Sequence, residues 1–293
     1  MMRKLTIALI IMTGVSLALS QTTLAQPKPE QTQQPKQQQP KQNEPAAGVD
    51  KQTVKFNTSD DVKIAADYYA PPVKPGDKAP VAILVHMYPA DRTSWEPLLP
   101  RLTEAGFAVL VYDIRGNGGS TEPADKKLKQ MYQDRDPALF KDAWKDAEAA
   151  KKWLATKPEC DVNRIAMIGA SIGCSISLEY GSKDPAVKAI VCLSPGTKYF
   201  DVDSVAHIKK CGKRAILLMS PKTEQDEVKK LVKASGDVAK GEEYPGSHEQ
   251  HGTGMLLAPY GDKVKRRIVE FISGEIGVKS PEAEAPGPKK KGM

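Results

Sequence analysis

Aromatic side chains are scarce in this chain, with nine Tyr, five Phe and three Trp among 293 residues, so any core must be mainly aliphatic. Cysteine is scarcer still. The four present form no C-x-x-C pair and show no zinc-site spacing, so the sequence offers no case for a metal or cofactor. No long apolar run follows residue 20, which excludes a multipass membrane protein. A concentrated basic stripe is also missing. The net charge of +7 includes surpluses at both ends, and residues 51–278 carry 34 basic against 31 acidic side chains. A sequence pI of about 9.0 therefore does not argue for a nucleic-acid partner. Internal repeats are absent. What is left is one domain of roughly 230 residues, large enough to bury a real core.

The two ends differ from this body. Met1-Met2-Arg3-Lys4 is followed by an uncharged, mostly apolar stretch from Leu5 to Leu19, then by the small residues of Ala18-Leu19-Ser20 and Thr23-Leu24-Ala25. That order predicts a secretory signal peptide over 1–25 and a secreted or periplasmic protein with no stable membrane insertion after cleavage. An uncleaved N-terminal anchor is the alternative. Residues 26–50 are rich in Gln, Pro and Lys and read as a disordered linker, and 279–293 as a disordered tail. The folded domain is expected over 51–278.

Within the domain, strand and helix patterns alternate. Thr53–Asn57 and Val62–Tyr69 flank the polar turn Ser59-Asp60-Asp61 and predict an antiparallel hairpin. Pro80–Val85, Phe107–Tyr112, Arg164–Ile168, Ala189–Leu193 and Arg214–Met219 are continuous apolar runs, as strands buried on both faces require. Glu242–Tyr244 ends a last strand. Helices are expected over Ser94–Ala105, from Phe140 to about Thr156, around Val228–Val232 and around Val264–Ile272. Thr121–Asp136 reads as a solvated loop at the edge of a pocket. Such alternation predicts an α/β fold with a mostly parallel sheet flanked by helices, and chemistry at the carboxyl ends of the strands.

After the run Arg164–Ile168 comes Gly169-Ala170-Ser171-Ile172-Gly173, a G-x-S-x-G pattern. Glycines on either side let a strand turn directly into a helix and hold the serine hydroxyl exposed at the apex. A serine needs a base to take its proton. Of the four histidines, His86 ends a strand and His207 lies beside two lysines, whereas His248 and His251 occupy a glycine-flanked loop after the last strand. His251, just before Gly252-Thr253-Gly254, is preferred, with His248 as the alternative. The base in turn needs a carboxylate. Glu224 lies a few residues beyond the strand ending at Met219, Asp226 competes with it, and Asp201 and Asp203 are further options.

These motifs resemble those of the α/β-hydrolase superfamily, and more closely its small lidless esterases and dienelactone-hydrolase-like members. The resemblance spans nearly all of 53–273 and rests on Leu84-Val85-His86-Met87-Tyr88, the turn from Tyr112 to Ser120, Gly169–Gly173 and His251–Gly254, in that order. It implies about eight strands with the second antiparallel, and hydrolysis through an acyl-serine. By resemblance, Ser171 is the nucleophile, His251 the base and Glu224 the acid, with the N–H groups of Ile172 and Tyr88 forming the oxyanion hole. Two positions depart from the family pattern. Met87 stands where glycine is usual and is an alternative donor, and Glu224 replaces the usual Asp. Asp113, Arg115 and Gly116 read as a structural turn.

About twenty residues separate the strand ending at Leu193 from the one starting at Arg214, too few for a substantial lid. The expectation is an exported serine hydrolase, without cofactor or metal, acting on a small-molecule carboxylic ester. Alternatives are a weakly active or inactive hydrolase-shaped binding protein, or the same triad acting on thioesters or amides. Cys160 and Cys211 both precede strands, and a disulfide between them is one open pairing, while Cys174 and Cys192 read as buried apolar residues. The sequence carries no signal for an oligomeric state.

Overall fold

The computed structural model describes residues 51–70, 73–74 and 76–278. The leader, linker and tail expected over 1–25, 26–50 and 279–293 lie outside the described residues. No helix among the described residues is long and apolar enough to cross a membrane.

Strands β1 (Lys51–Asn57) and β2 (Lys63–Tyr69) form the expected hairpin, paired from Lys51↔Tyr69 to Asn57↔Lys63. Its turn closes because Thr58 N–H donates to Val62 O at 2.9 Å while the Thr58 hydroxyl oxygen accepts from Val62 N–H at 2.9 Å. Next come β3 (Ala79–Val85), β4 (Ala108–Tyr112), β5 (Cys160–Ala170) and β6 (Val187–Leu193). A two-residue pair, β7 (Lys198–Tyr199) and β8 (Val202–Asp203), forms a separate tight hairpin. β9 (Ala215–Pro221) and β10 (Lys240–Tyr244) complete the main sheet. Its order is β1-β2-β4-β3-β5-β6-β9-β10, eight strands in all. β2 runs antiparallel to both neighbours, and every other pairing apart from β1–β2 is parallel. Every residue of β3 and β4 is buried, which explains their unbroken apolar runs.

Helices cover both faces. On one side lie α4 (Trp144–Leu154), α5 (Ile172–Lys183), α6 (Ser204–Lys210) and α7 (Gln225–Ala234), whose buried residues share a core with Ile83, Leu110 and Met167. On the other lie α1 (Leu99–Glu104) and α8 (Gly261–Ile276), packed on Leu84, Val109 and Ile168. Val264, Ile268, Phe271 and Ile272 of α8 all enter that second core, the stripe expected of a helix with one apolar face.

Three local expectations need correction. The helix predicted over Ser94–Ala105 is a 3₁₀ turn over Arg92–Trp95, capped by Asp91 rather than Ser94, followed by the short α1. Pro97 and Pro100 donate no N–H, so regular helical bonding starts only near Leu99. The helix predicted to run from Phe140 is divided into α3 (Pro137–Lys141) and α4. Between them Ala143, Lys145 and Asp146 donate to the carbonyls three residues back, tightening the backbone. The segment Thr121–Asp136 is not merely a solvated loop. It carries α2 (Leu128–Gln133), whose Leu128 and Tyr132, four apart, make one buried face.

All four cysteines are free and buried, so Cys160 and Cys211 are not bridged. Each sulfur is packed against other partners: Cys160 Sγ is 3.3 Å from the Tyr68 hydroxyl and Cys211 Sγ 3.6 Å from Leu178 O. Cys174 and Cys192 lie in the core as small apolar side chains.

Candidate active site

The strand ends meet on one level. Val85 pairs with Gly169, Ala170 with Leu193, and Leu193 with Met219, so the residues that follow emerge together at one edge. Ser171 follows Ala170 directly and precedes α5. Its backbone lies at φ 52 and ψ −119, a conformation costly for a residue with a Cβ and typical of strained functional positions. The turn is possible because Gly169 and Gly173 have no side chains. A Cβ on Gly169 would strike Gly173 O, and one on Gly173 would strike Val85 O and His86 O. Ser171 N–H donates to Leu193 O at 2.9 Å, tying the apex to the neighbouring strand.

Glu224 closes a single 3₁₀ turn over Lys222–Glu224 at the end of β9. Its Oε1 accepts from His251 Nδ1 at 2.8 Å and from His248 Nδ1 at 3.1 Å. The two imidazoles are not equivalent, since the His248 side chain is 77% exposed and that of His251 30%. Burial alone would push the Glu224 carboxyl up. The hydrogen bond and charge interaction with His251, together with the hydrogen bond from His248, help offset it and hold the group below its ordinary value. The other candidate carboxylates are elsewhere. Asp226 is 88% exposed beside Lys229, Asp201 pairs with Lys141 and Lys198, and Asp203 caps α6 by accepting from Ala206 N–H.

The loop bearing His251 is seated on the elbow. Gly252, at φ 58, sits so close to Met87 that a Cβ there would lie 2.5 Å from its sulfur and 3.5 Å from Ala170 Cβ. The Thr253 hydroxyl donates to Met87 Sδ at 3.7 Å. Met87, where a glycine was expected, thus forms the floor under the histidine loop. Neither Met87 N–H nor Tyr88 N–H donates a hydrogen bond among the described residues, and Ile172 N–H is a free donor at the first position of α5. All three proposed oxyanion donors are therefore available. Among the described residues no hydrogen bond joins Ser171 Oγ to His248 or His251, a kind of contact that often tightens only around substrate.

The remaining motif residues serve as struts. His86 is fully buried, donates from Nδ1 to Met87 O at 2.9 Å and accepts at Nε2 from Ile114 N–H at 2.9 Å. Burial holds its pKa down, so it is a neutral brace for the oxyanion loop. Asp113 accepts from Gly119 N–H and pairs with Arg92, and Arg115 pairs with the buried Asp146 and with Asp60, each at 2.8 Å. This is the structural turn anticipated from the sequence.

Two site residues escaped the sequence reading. Ser194, at φ 54 and fully buried, directly follows β6, and its hydroxyl oxygen accepts from Gly252 N–H at 2.8 Å. Tyr199, on β7, donates its hydroxyl to Ser194 O at 3.4 Å and meets the His251 imidazole edge-on, with ring centroids 6.4 Å apart. The one sequence signal for this corner was the breaker Ser194-Pro195-Gly196 at a strand end. Beside the site, Tyr88 packs on Tyr132 at 5.0 Å and Phe200 at 5.4 Å and borders a cleft of about 330 Å³ that includes Asn117, Lys129 and Gln133. Among the described residues, no group of three or more His, Cys, Asp or Glu is placed to hold a metal ion.

A mostly parallel eight-stranded sheet with flanking helices, carrying these residues at its strand ends, defines an α/β-hydrolase. Residues 26–212 match the acetyl xylan esterase (AXE1) family, and the chain belongs to that family of hydrolases. The matched stretch contains Ser171 and Tyr199 but stops short of Glu224 and His251. An uncharacterized protein of Mycobacterium tuberculosis is 28% identical over 153 residues, 52% of this chain and 48% of that protein. The thiohydrolase apmlB of Arthrinium phaeospermum is 26% identical over 166 residues, 54% of this chain and 48% of that protein. The chain thus spans about half the length of these curated relatives. In three dimensions it resembles the Pyrococcus furiosus esterase Pf2001, with a TM-score of 0.64 over 78% of this chain and 92% of that one at 16% identity, a likeness of fold.

Proposed function

We propose that this protein is an exported serine esterase that cleaves a small carboxylic ester, with short acyl groups such as acetyl as the first class to test. The observation that carries the reading is the 2.8 Å hydrogen bond from His251 to Glu224 beside a serine held on a strand-to-helix elbow. In the proposed cycle, His251 Nε2 takes the Ser171 proton as Oγ attacks the ester carbonyl carbon. The N–H groups of Ile172 and of Tyr88 or Met87 receive the oxyanion. Collapse expels the alcohol, which takes the proton from His251, and leaves the acyl group on Oγ. Water, deprotonated by the same imidazole, then releases the acid and restores the serine. Glu224 holds the His251 tautomer and stabilises the imidazolium.

The family description supports an oxygen ester, while the thiohydrolase relative supports a thioester as the runner-up. A fluorophosphonate probe should label Ser171, and Ser171→Ala should reduce p-nitrophenyl acetate turnover by about 10⁴-fold or more. A folded protein that resists the probe and turns over no short ester would instead support the non-catalytic binding reading.

A further inference from the structure

Met87 stands between two parts of the site that are each fixed from behind. On its own side, His86 donates from Nδ1 to Met87 O at 2.9 Å and so pins the peptide that follows β3. On the other, Gly252 N–H, one residue after His251, is held by the Ser194 hydroxyl at 2.8 Å. The Met87 sulfur fills the gap between them. A Cβ on Gly252 would lie 2.5 Å from that sulfur, and the Thr253 hydroxyl donates to it at 3.7 Å. Met87 packs against the second core yet is only half-buried, which leaves it within reach of a small solute. Met167, Met219 and Met255 are fully buried, and Met131 packs against the other core. Nor do the four thiols compete for an oxidant, since none is more than 3% exposed. A thioether offers a sulfur lone pair to a peroxide without any change of protonation.

We propose that Met87 is an oxidation site, and that its conversion to the sulfoxide switches off ester hydrolysis by displacing the loop that bears His251. This rests on the serine-esterase reading and extends it. With hydrogen peroxide as oxidant, the sulfur lone pair attacks one peroxide oxygen, the O–O bond breaks, and the other oxygen leaves as water. Sulfur gives up two electrons and the peroxide takes them. The product is bulkier than the thioether, and polar where the thioether was apolar. Against Gly252 there is no room for a further atom, and the new oxygen draws the Thr253 hydroxyl toward it. The Met87 peptide is braced by His86, and Ser171 is tied to Leu193 O, so the histidine loop is the part that yields. An imidazole shifted from its serine slows the chemical step and leaves substrate binding largely intact.

Dilute hydrogen peroxide applied to the folded, full-length chain tests this. Peptide mass spectrometry should show one oxygen gained at Met87 before Met167, Met219 or Met255. In step with that gain, kcat for p-nitrophenyl acetate should fall roughly tenfold or more with little change in KM. Methionine sulfoxide reductases supplied with dithiothreitol should reverse both changes. Met87→Leu, scored against its own untreated activity, should keep its turnover through the same treatment, whereas Met131→Leu should lose it as the parent does. Where Met87→Leu fails to fold, the match between oxidised fraction and lost kcat in the parent, and its reversal by the reductases, decide the matter. A parent oxidised at Met87 with its kcat intact overturns the proposal, as does a parent left unmodified there or a loss that persists in Met87→Leu. An untreated parent that resists the fluorophosphonate probe and cleaves no short ester overturns the esterase reading, and the switch with it. A probe-labelled, active parent that peroxide does not slow overturns the switch alone.

Discussion

Glu224 supports two imidazoles on a single oxygen, and the balance of forces on it sets an expected acid response. Its folded-state pKa is below the ordinary 4.5, so its ionised form favours the native state. That contribution is complete above about pH 4.5 and disappears as pH falls through the depressed value. Urea midpoints for the parent and Glu224→Gln should therefore differ by a constant amount above that pH and converge below it. Turnover at neutral pH should fall about 10⁴-fold in the same variant, as when a triad carboxylate is replaced by its amide. An equal loss in Asp226→Asn would move the acid role to Asp226, whose exposed carboxylate pairs with Lys229. At this scale the sequence was informative wherever chemistry forces a residue type. Ser171 stood out because its glycine neighbours avoid contacts that any Cβ would make. Ser194 and Tyr199 did not, because their parts depend on a left-handed serine and a two-residue hairpin that no spacing announces.

The element most exposed to a single methyl group is the start of α5. Gly173 is in contact with the backbone of β3, and main-chain carbonyls cannot rotate aside as a side chain could. Gly173→Ala should cost about 1–3 kcal/mol of stability, visible as a lower melting temperature. It should also displace His86 O and with it Met87 and Tyr88, reducing turnover by about 10²-fold through misplaced oxyanion donors. A variant with parent stability and activity would show that the helix and strand can part without loss. The strands were readable in the sequence because burial on both faces leaves long apolar runs, as in Pro80–Val85. Helix limits were harder to read. The break between α3 and α4 comes from tightened hydrogen bonds at Ala143–Asp146, which leave the apolar spacing almost untouched.

For the molecule as a whole, eight strands in the order β1-β2-β4-β3-β5-β6-β9-β10 place the nucleophile, acid and base candidates on one rim, although they are far apart along the chain. That layout was legible from the alternation of runs and from the motif order. The cysteine arrangement was not, because two residues that both precede strands need not face each other. The four unpaired thiols are spread through the interior, none more than 3% exposed. Burial also raises Cys160 to about 11 and Cys211 to about 12, which suppresses the reactive thiolate. Iodoacetamide should leave the native protein unmodified at neutral pH and alkylate all four sites in denaturant. Early modification of any one cysteine would locate a part of the interior that breathes. Without any engineered label, the chain thus carries four timers of its own unfolding, and the order in which they react would map how the layers come apart.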